Sequence, residues 1–539
     1  MVLLLGVILA AGETALGQQQ TPLTPTTAAL RLNSDKKSYD YADKTQTIAL
    51  GYWRHGDYKS AFAQIDYLEP REQEQLLLNF VFLAIKAKQT DPARSALNRA
   101  LKLVMSVDED SRNTGSIAEL ARNAVEVDDL ELASRFTNLL DEGSARKAFA
   151  LVSLAEVWAS RNERARATAL LDEAMAQTGA FDEEERDDLI DLYGKVVQVL
   201  INLDEKDRAT DLANRANELF LSQQEPDGRD RSAVALSFAR LGDLSRAMLL
   251  MESVDDDYKI KNLVSLAGVY QTRDDQTAAL NSLLRARAIL ESTSADGYAH
   301  STALNHLASG YLKLGRPDEA FEVMRGISDP FYLGKTASEV ADSFFAQGRR
   351  QEATAALTFA YSQIRNIVSE KSGDIPSSAS GSNAQTKSHR LTDLGEKFLE
   401  FRDLHGAEAA ARAIDHPQYK ASLLAKVAVG YAREGDKSKA QSLLAQAFQL
   451  SSNSSEYNHD SPREYALVRI AEAYADAGFK QDSRNVILRL VRELRDGDHD
   501  ASTIECLIEV GLMAETKGVP IDRSIQTVLM QVIKKAEDN

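Results

Sequence analysis

At 539 residues the chain is too long for one compact core, and its 44% hydrophobic content excludes wholesale disorder. Only 11 Pro and 28 Gly interrupt a composition rich in Ala, Leu, Glu and Arg, residues that lose little side-chain entropy in a helix. The net charge of −18, with no basic stripe to release counterions from phosphates, argues against nucleic acid and anionic membrane as partners, and the single Cys506 excludes an internal disulfide framework.

The chain opens on a ten-residue apolar run, Val2–Ala11, too short to span a bilayer as helix. Its length suits the core of a signal peptide covering 1–17, with small Ala15 and Gly17 before a cut at Gln18, although no Lys or Arg precedes Arg31. The expected location is therefore periplasmic or extracellular. Residues 18–44 are polar, hold two prolines and read as a flexible spacer.

From residue 45 one pattern recurs: a small residue, an aromatic three later, Gly four later and Ala five later. The clearest copy is Ala308, Tyr311, Gly315, Ala320. The spacing returns as Ala49, Tyr52, Gly56, Ala61; as Ala235, Phe238, Gly242, Ala247; as Ala341, Phe344, Gly348, Ala353; and as Ala428, Tyr431, Gly435, Ala440. Weaker copies run through Ala155 and Trp158, Ala267 and Tyr270, and Ala471, Tyr474 and Gly478, with degenerate ones near Ala84, Ala121, Val197, Gly395 and Gly511.

The spacing has a mechanical reading. Residues three and four apart share a helix face, the Gly ends that helix in a left-handed conformation, and the following Ala starts the buried stripe of a second helix. Each unit is an αα-hairpin that buries its apolar face only against neighbours. Five units have a shortened second helix ending in an acidic or proline turn, at Leu68–Pro70, Leu140–Glu142, Val254–Asp256, Ile327–Pro330 and Ile414–Pro417. A Ser/Gly-rich stretch, 369–389, reads as a disordered loop dividing an N-terminal part (45–368) from a C-terminal part (390–539).

The array resembles the tetratricopeptide repeat family, although its small positions lie 32 to 54 residues apart and the family's proline is displaced. The resemblance implies an all-α, right-handed α-solenoid of about thirteen units that binds other proteins or peptides along a concave groove lined by first helices. The family's carboxylate-clamping Lys and Asn are missing from their positions, which leaves Asn305, Ser309, Ser338, Asp342 and Glu472 as groove candidates from geometry alone.

No catalytic, metal or cofactor motif is complete. Gly430–Ser438 resembles a phosphate loop, but Asp436 displaces the lysine; Asp496–Asp500 lacks a calcium loop's Gly and Glu; the acidic run Asp182–Asp188 suits a helix start. Cys506, between Ile504 and Ile508, reads as a buried thiol. The expectation is a non-catalytic interaction scaffold without cofactor. The alternatives are a helical α/α-toroid carbohydrate-active enzyme, against which the two tryptophans count, and a cytosolic adaptor if the apolar run is no signal.

Overall fold

A computed structural model describes residues 23–34, 40–181, 188–223, 228–252, 256–292, 297–367, 383–453, 463–497 and 501–538. The signal-like run, residues 369–382 of the expected loop, residues 182–187 of the acidic run and residues 498–500 lie outside them. Among the described residues the secondary structure is helical throughout, in twenty-seven α-helices.

Helix α1, Pro25–Leu32, stands apart; the other twenty-six form thirteen hairpins. The first helices are α2 (Tyr41–Arg54), α4 (Pro70–Lys86), α6 (Thr114–Glu126), α8 (Ala145–Ser160), α10 (Leu189–Asn202), α12 (Gly228–Leu241) and α14 (Asp256–Thr272). They continue as α16 (Tyr298–Lys313), α18 (Pro330–Ala346), α20 (Asn383–Glu400), α22 (Pro417–Arg433), α24 (Arg463–Asp476) and α26 (Ala501–Lys517). Their second helices fall into two lengths. The short ones are α3 (Tyr58–Ile65), α7 (Leu130–Thr137), α13 (Leu244–Glu252), α17 (Pro317–Met324) and α21 (Leu404–Ala413), the five units whose acidic or proline turns stand out in the sequence. The long ones are α5 (Thr90–Ser106), α9 (Arg164–Gln177), α11 (Lys206–Ser222), α15 (Gln276–Ser292), α19 (Arg350–Ile364), α23 (Lys437–Asn453), α25 (Lys480–Asp496) and α27 (Arg523–Asp538).

The signature residues do what their spacing requires. Ala308, Tyr311 and Ala320 are buried, and burying a side chain as large as Tyr311 contributes on the order of 2 kcal/mol. Gly315, at φ 71°, lets its own N–H reach Leu312 O at 2.9 Å and the next N–H reach Tyr311 O at 3.0 Å, the paired bonds that close a helix C-terminus. A positive φ recurs at the same place in all thirteen units, on Gly in seven and on Lys88, Asp128, Asn162, Asp204, Asp274 and Arg402 in the rest. The φ of Lys88 sets the register of the second unit: Val81 takes the small position and Ala84 the aromatic one, three residues from the alignment on Ala84.

Each first helix packs on the next, and the last, α26, packs on the first, α2. The solenoid therefore closes on itself. Of the neighbouring second helices, only α25 and α27 make comparable side-by-side contact among the described residues, while α5 and α7 barely touch. Two concentric layers of equal number can touch so unequally only if the first helices form the inner one. A circular layer of thirteen helices spaced about 9 Å apart leaves a clear bore on the order of 25 Å.

Closure corrects the reading of 18–44 as a flexible spacer. Within it Thr24 caps α1, its hydroxyl accepting from Thr27 N at 3.2 Å while Thr27 Oγ1 accepts from Thr24 N at 2.8 Å. Pro25 presets the first turn. Pro25, Ala28 and Ala29 are buried, and α1 packs against α26 and α27. The repeat array likewise begins at Tyr41 rather than Thr45, and the end of the expected loop, Asn383–His389, belongs to α20, with Lys387 and Ser388 buried.

Candidate functional site: the inner face of the ring

Counted from the small residue of each unit, positions −6, −2, +1 and +5 fall on one helix stripe. On α6 these are Gly115, Glu119, Arg122 and Glu126, all exposed. On α16 they are Thr302, His306, Ser309 and Lys313, bracketed by buried Ala303, Leu304, Leu307 and Ala308. The stripe is the side of each first helix left free by its second helix and both neighbours. It faces the bore. Its concavity shows in the charge of Glu156 on α8 acting on Arg240 on α12, two first helices away; burial, the larger effect, holds that guanidinium below its ordinary value.

Ion pairs cross the stripe from helix to helix in part of the ring. Arg229 of α12 reaches Asp191 of α10 at 2.7 Å, and Lys397 of α20 reaches Asp342 of α18 at 3.0 Å. The densest set spans the junction of α26 with α2 and α24. Arg54 Nη1 lies 2.6 Å from Glu505 and 3.1 Å from Glu509, His55 Nε2 lies 3.2 Å from Glu509, and Arg469 lies 3.8 Å from it. Glu509 is almost fully buried. Burial works against its charge, but the hydrogen bond from His55 and the charges of Arg469, His55 and Arg54 outweigh it and hold the carboxyl below its ordinary range. Glu505 also accepts the Tyr465 hydroxyl, and burial and that bond push the phenol upward.

Two glycines let the junction close. A Cβ on Gly511 would overlap Thr26 Oγ1 and stand 2.6 Å from the Thr26 backbone nitrogen, and one on Gly51 would overlap Ile508. Gly511 is a close-approach residue, since α1 backbone lies where a side chain would be.

The groove candidates divide. Ser309, Asp342 and Glu472 lie on the stripe, Asp342 held by Lys397, and Glu472 3.2 Å from Arg469 and 3.6 Å from Lys517. Asn305 does not line the groove. It is buried between α16 and α18, where Oδ1 accepts from Thr336 Oγ1 at 3.0 Å, because position −3 turns toward the neighbouring helix. Ser338, at that same position, is half-buried and donates to Gly334 O at 3.1 Å. The candidates on α16 and α18 are neighbours, and Glu472 on α24 is remote from them. The junction residues Arg54, Glu505 and Glu509 were not visible as candidates, since no local pattern marks them.

The remaining chemistry-bearing features resolve into architecture. Gly430 packs against Leu404 and Gly435, at φ 93°, ends α22, so the phosphate-loop resemblance is a repeat signature. Cys506 is buried. Trp53 is buried and stacked on Phe80 at 4.1 Å, and Trp158 carries Arg166 at 4.7 Å over its ring, so neither forms a sugar platform in the bore. Two outer grooves sit beside short second helices, one of about 500 Å³ lined by Phe62, Asp66, Arg99 and Lys102, the other of about 450 Å³ by Arg412, Pro417 and Lys420. Among the described residues no cluster of three His, Cys, Asp or Glu could hold a metal, and no helix is long and apolar enough to cross a membrane.

No protein-family model matches the chain, and no curated protein matches its sequence. Solved structures similar to it include a circular tandem repeat protein, 13% identical over 96% of this chain and 98% of that one, with a TM-score of 0.15. A signal-transduction ATPase with a tetratricopeptide repeat sensor from Pyrococcus horikoshii is 11% identical over 70% and 71%, at 0.23. The APC/C hetero-tetramer Cut9-Hcn1 is 13% identical over 95% and 99%, also at 0.23. By its own hairpins, signature positions and left-handed helix ends, this is a tetratricopeptide-like helical repeat protein.

Proposed function

We propose that the chain is a non-catalytic scaffold that captures a protein partner on the inner face of its ring. One observation carries this reading: a stripe on successive first helices that their second helices and neighbours leave accessible through most of the ring, interrupted at the junction where Glu509 and Leu512 are buried. A bore on the order of 25 Å admits an extended chain or a helix, which is about 10–12 Å wide with side chains. An exported location belongs to the same proposal and rests on Val2–Ala11.

Photo-crosslinkers placed at Ser309 and Glu472 on the stripe, and at Lys102 on the outer face, test it in the native host. The same partner should crosslink from both stripe positions and not from Lys102. Crosslinks from Lys102 alone would move binding to the outer face and overturn the reading. One stripe carboxylate whose replacement abolished a measurable turnover, with helicity by circular dichroism unchanged, would replace the scaffold by an enzyme. N-terminal sequencing of the native protein should find a chain starting near Gln18; an intact Met1 removes export.

A further inference from the structure

The charges of the stripe are unevenly distributed. On α12, α14 and α16 its positions hold Arg229, Ala233, Leu236, Arg240, Lys261, Ser265, Gly268, Thr272, Thr302, His306, Ser309 and Lys313, without one carboxylate. Lys335 begins the stripe of α18, which continues with the carboxylates Glu339 and Asp342. In a chain of net charge −18 the three stripes before it are a local reversal of sign. Arg229 is tied to Asp191, and Lys335 has Glu339 at 4.0 Å. Arg240, His306 and Lys313 have no carboxylate within ion-pair distance among the described residues. Burial, then the charges of Lys261, Lys335 and Lys313 on three helices, hold the His306 imidazole below its ordinary value.

The floor between these cations carries little side chain. A Cβ on Gly268 would meet nothing within 4 Å, so packing does not demand this glycine; its effect is to leave open space above the helix, with Ser265 and Ser309 beside it. Four first helices at about 9 Å spacing make an arc of roughly 30 Å, the length of about ten residues of extended chain.

Resting on the scaffold reading, we propose that this arc, built by Arg240, Lys261, His306, Lys313 and Lys335 over the Gly268 floor, is the recognition site for an acidic, extended peptide segment of the partner. Charge complementarity selects the occupant: carboxylates every second residue would meet cations from successive helices, and the bare floor accepts the peptide backbone. The site differs from a single-carboxylate clamp because its cations are spread along the arc.

The test is fluorescence anisotropy of the full chain with a labelled peptide of about ten residues alternating Glu and Ser, the extended length of the arc. Binding should weaken with salt, fall at least tenfold in a K261E/K313E double variant, and stay within twofold in K86E, a stripe change on α4 remote from the arc. An alternating Lys and Ser peptide should not bind. The proposal is overturned if the acidic peptide does not bind, if K261E/K313E binds it as the parent does, or if a single-stranded oligonucleotide binds equally well. Crosslinking of the partner from stripe positions outside α12–α18 would, in those cases, leave the scaffold reading standing by itself. Peptide binding with no stripe crosslinks would do the reverse.

Discussion

The junction between α26 and α2 and the arc around α14 lie on opposite sides of a thirteen-hairpin ring, and they use charge in opposite ways. At the junction Glu505 and Glu509 both have partners, shared among Arg54, His55, Arg469 and Tyr465. On the arc like charges are held together with no carboxylate on the stripe of three helices. Pairing closes an interface between elements some 450 residues apart in sequence, as in the Arg54–Glu505 pair. Like charges gathered on one face repel one another, and an occupant of opposite charge relieves that repulsion. The difference separates a structural joint from a surface awaiting an occupant.

The comparison breaks most visibly at Gly511. Gly511→Val places a β-branched side chain in the backbone of α1, so α1 should detach, at a cost of about 3 kcal/mol. Protease cleavage in α1 that is fast in the variant and slow in the parent would show it; identical cleavage means the ring is open in solution. Glu509→Ala should cost about 2 kcal/mol, less than a fully enclosed pair, because Arg54 and Arg469 remain partly hydrated. Dyes on cysteines replacing Lys59 and Lys534 should then report a longer separation of first and last units.

Acid sharpens the same contrast. Because the folded pKa of Glu509 is depressed, its contribution is complete above the ordinary value of 4.5 and is lost as pH falls through the folded value. Dye separation should grow in that window before helicity is lost, and in Glu509→Ala that acid-dependent step should vanish. Away from both regions, Gly315→Val should cost about 1–2 kcal/mol, since its φ of 71° strains a β-branched residue even though nothing crowds the site. The smallest effect belongs to K261E/K313E, whose melting should match the parent within about 0.5 kcal/mol, as for surface substitutions. Clear destabilisation would make those lysines structural.

The hairpins were legible because each is specified within one unit. Even the short second helices announce themselves, as in Ile327–Pro330, where Asp329 caps α18 by accepting from Phe331 N and Tyr332 N at 2.9 and 3.1 Å. Lys88 and Arg402 hid their units' ends, since both adopt a left-handed backbone that their residue types disfavour, and packing on either side imposes it. Helix α1 escaped notice although Thr24, Pro25 and Thr27 spell a helix start. Its buried face is little more than Pro25 and two alanines, too small for a periodic signal, and its partner Gly511 lies nearly the whole chain away.

Closure itself has no local code, because it accumulates from small rotations between successive units. That also explains the groove candidates. Ser309, Asp342 and Glu472 follow from helix periodicity alone, whereas placing Asn305 required knowing how α18 leans on α16. The basic arc was readable in principle as three consecutive stripes without a carboxylate, but only once the stripe register was fixed.

Closure has one further consequence, for how the molecule comes apart. A linear array of hairpins frays from its two ends, where each terminal unit has a single neighbour. Here α2 and α26 are each other's neighbour and α1 lies across α26 and α27, so none of the described units is terminal. Fraying must begin by breaking one interface that returns no chain entropy until a second one breaks. Hydrogen exchange should therefore be nearly uniform around the ring, and should develop a gradient from both ends once the junction is cut.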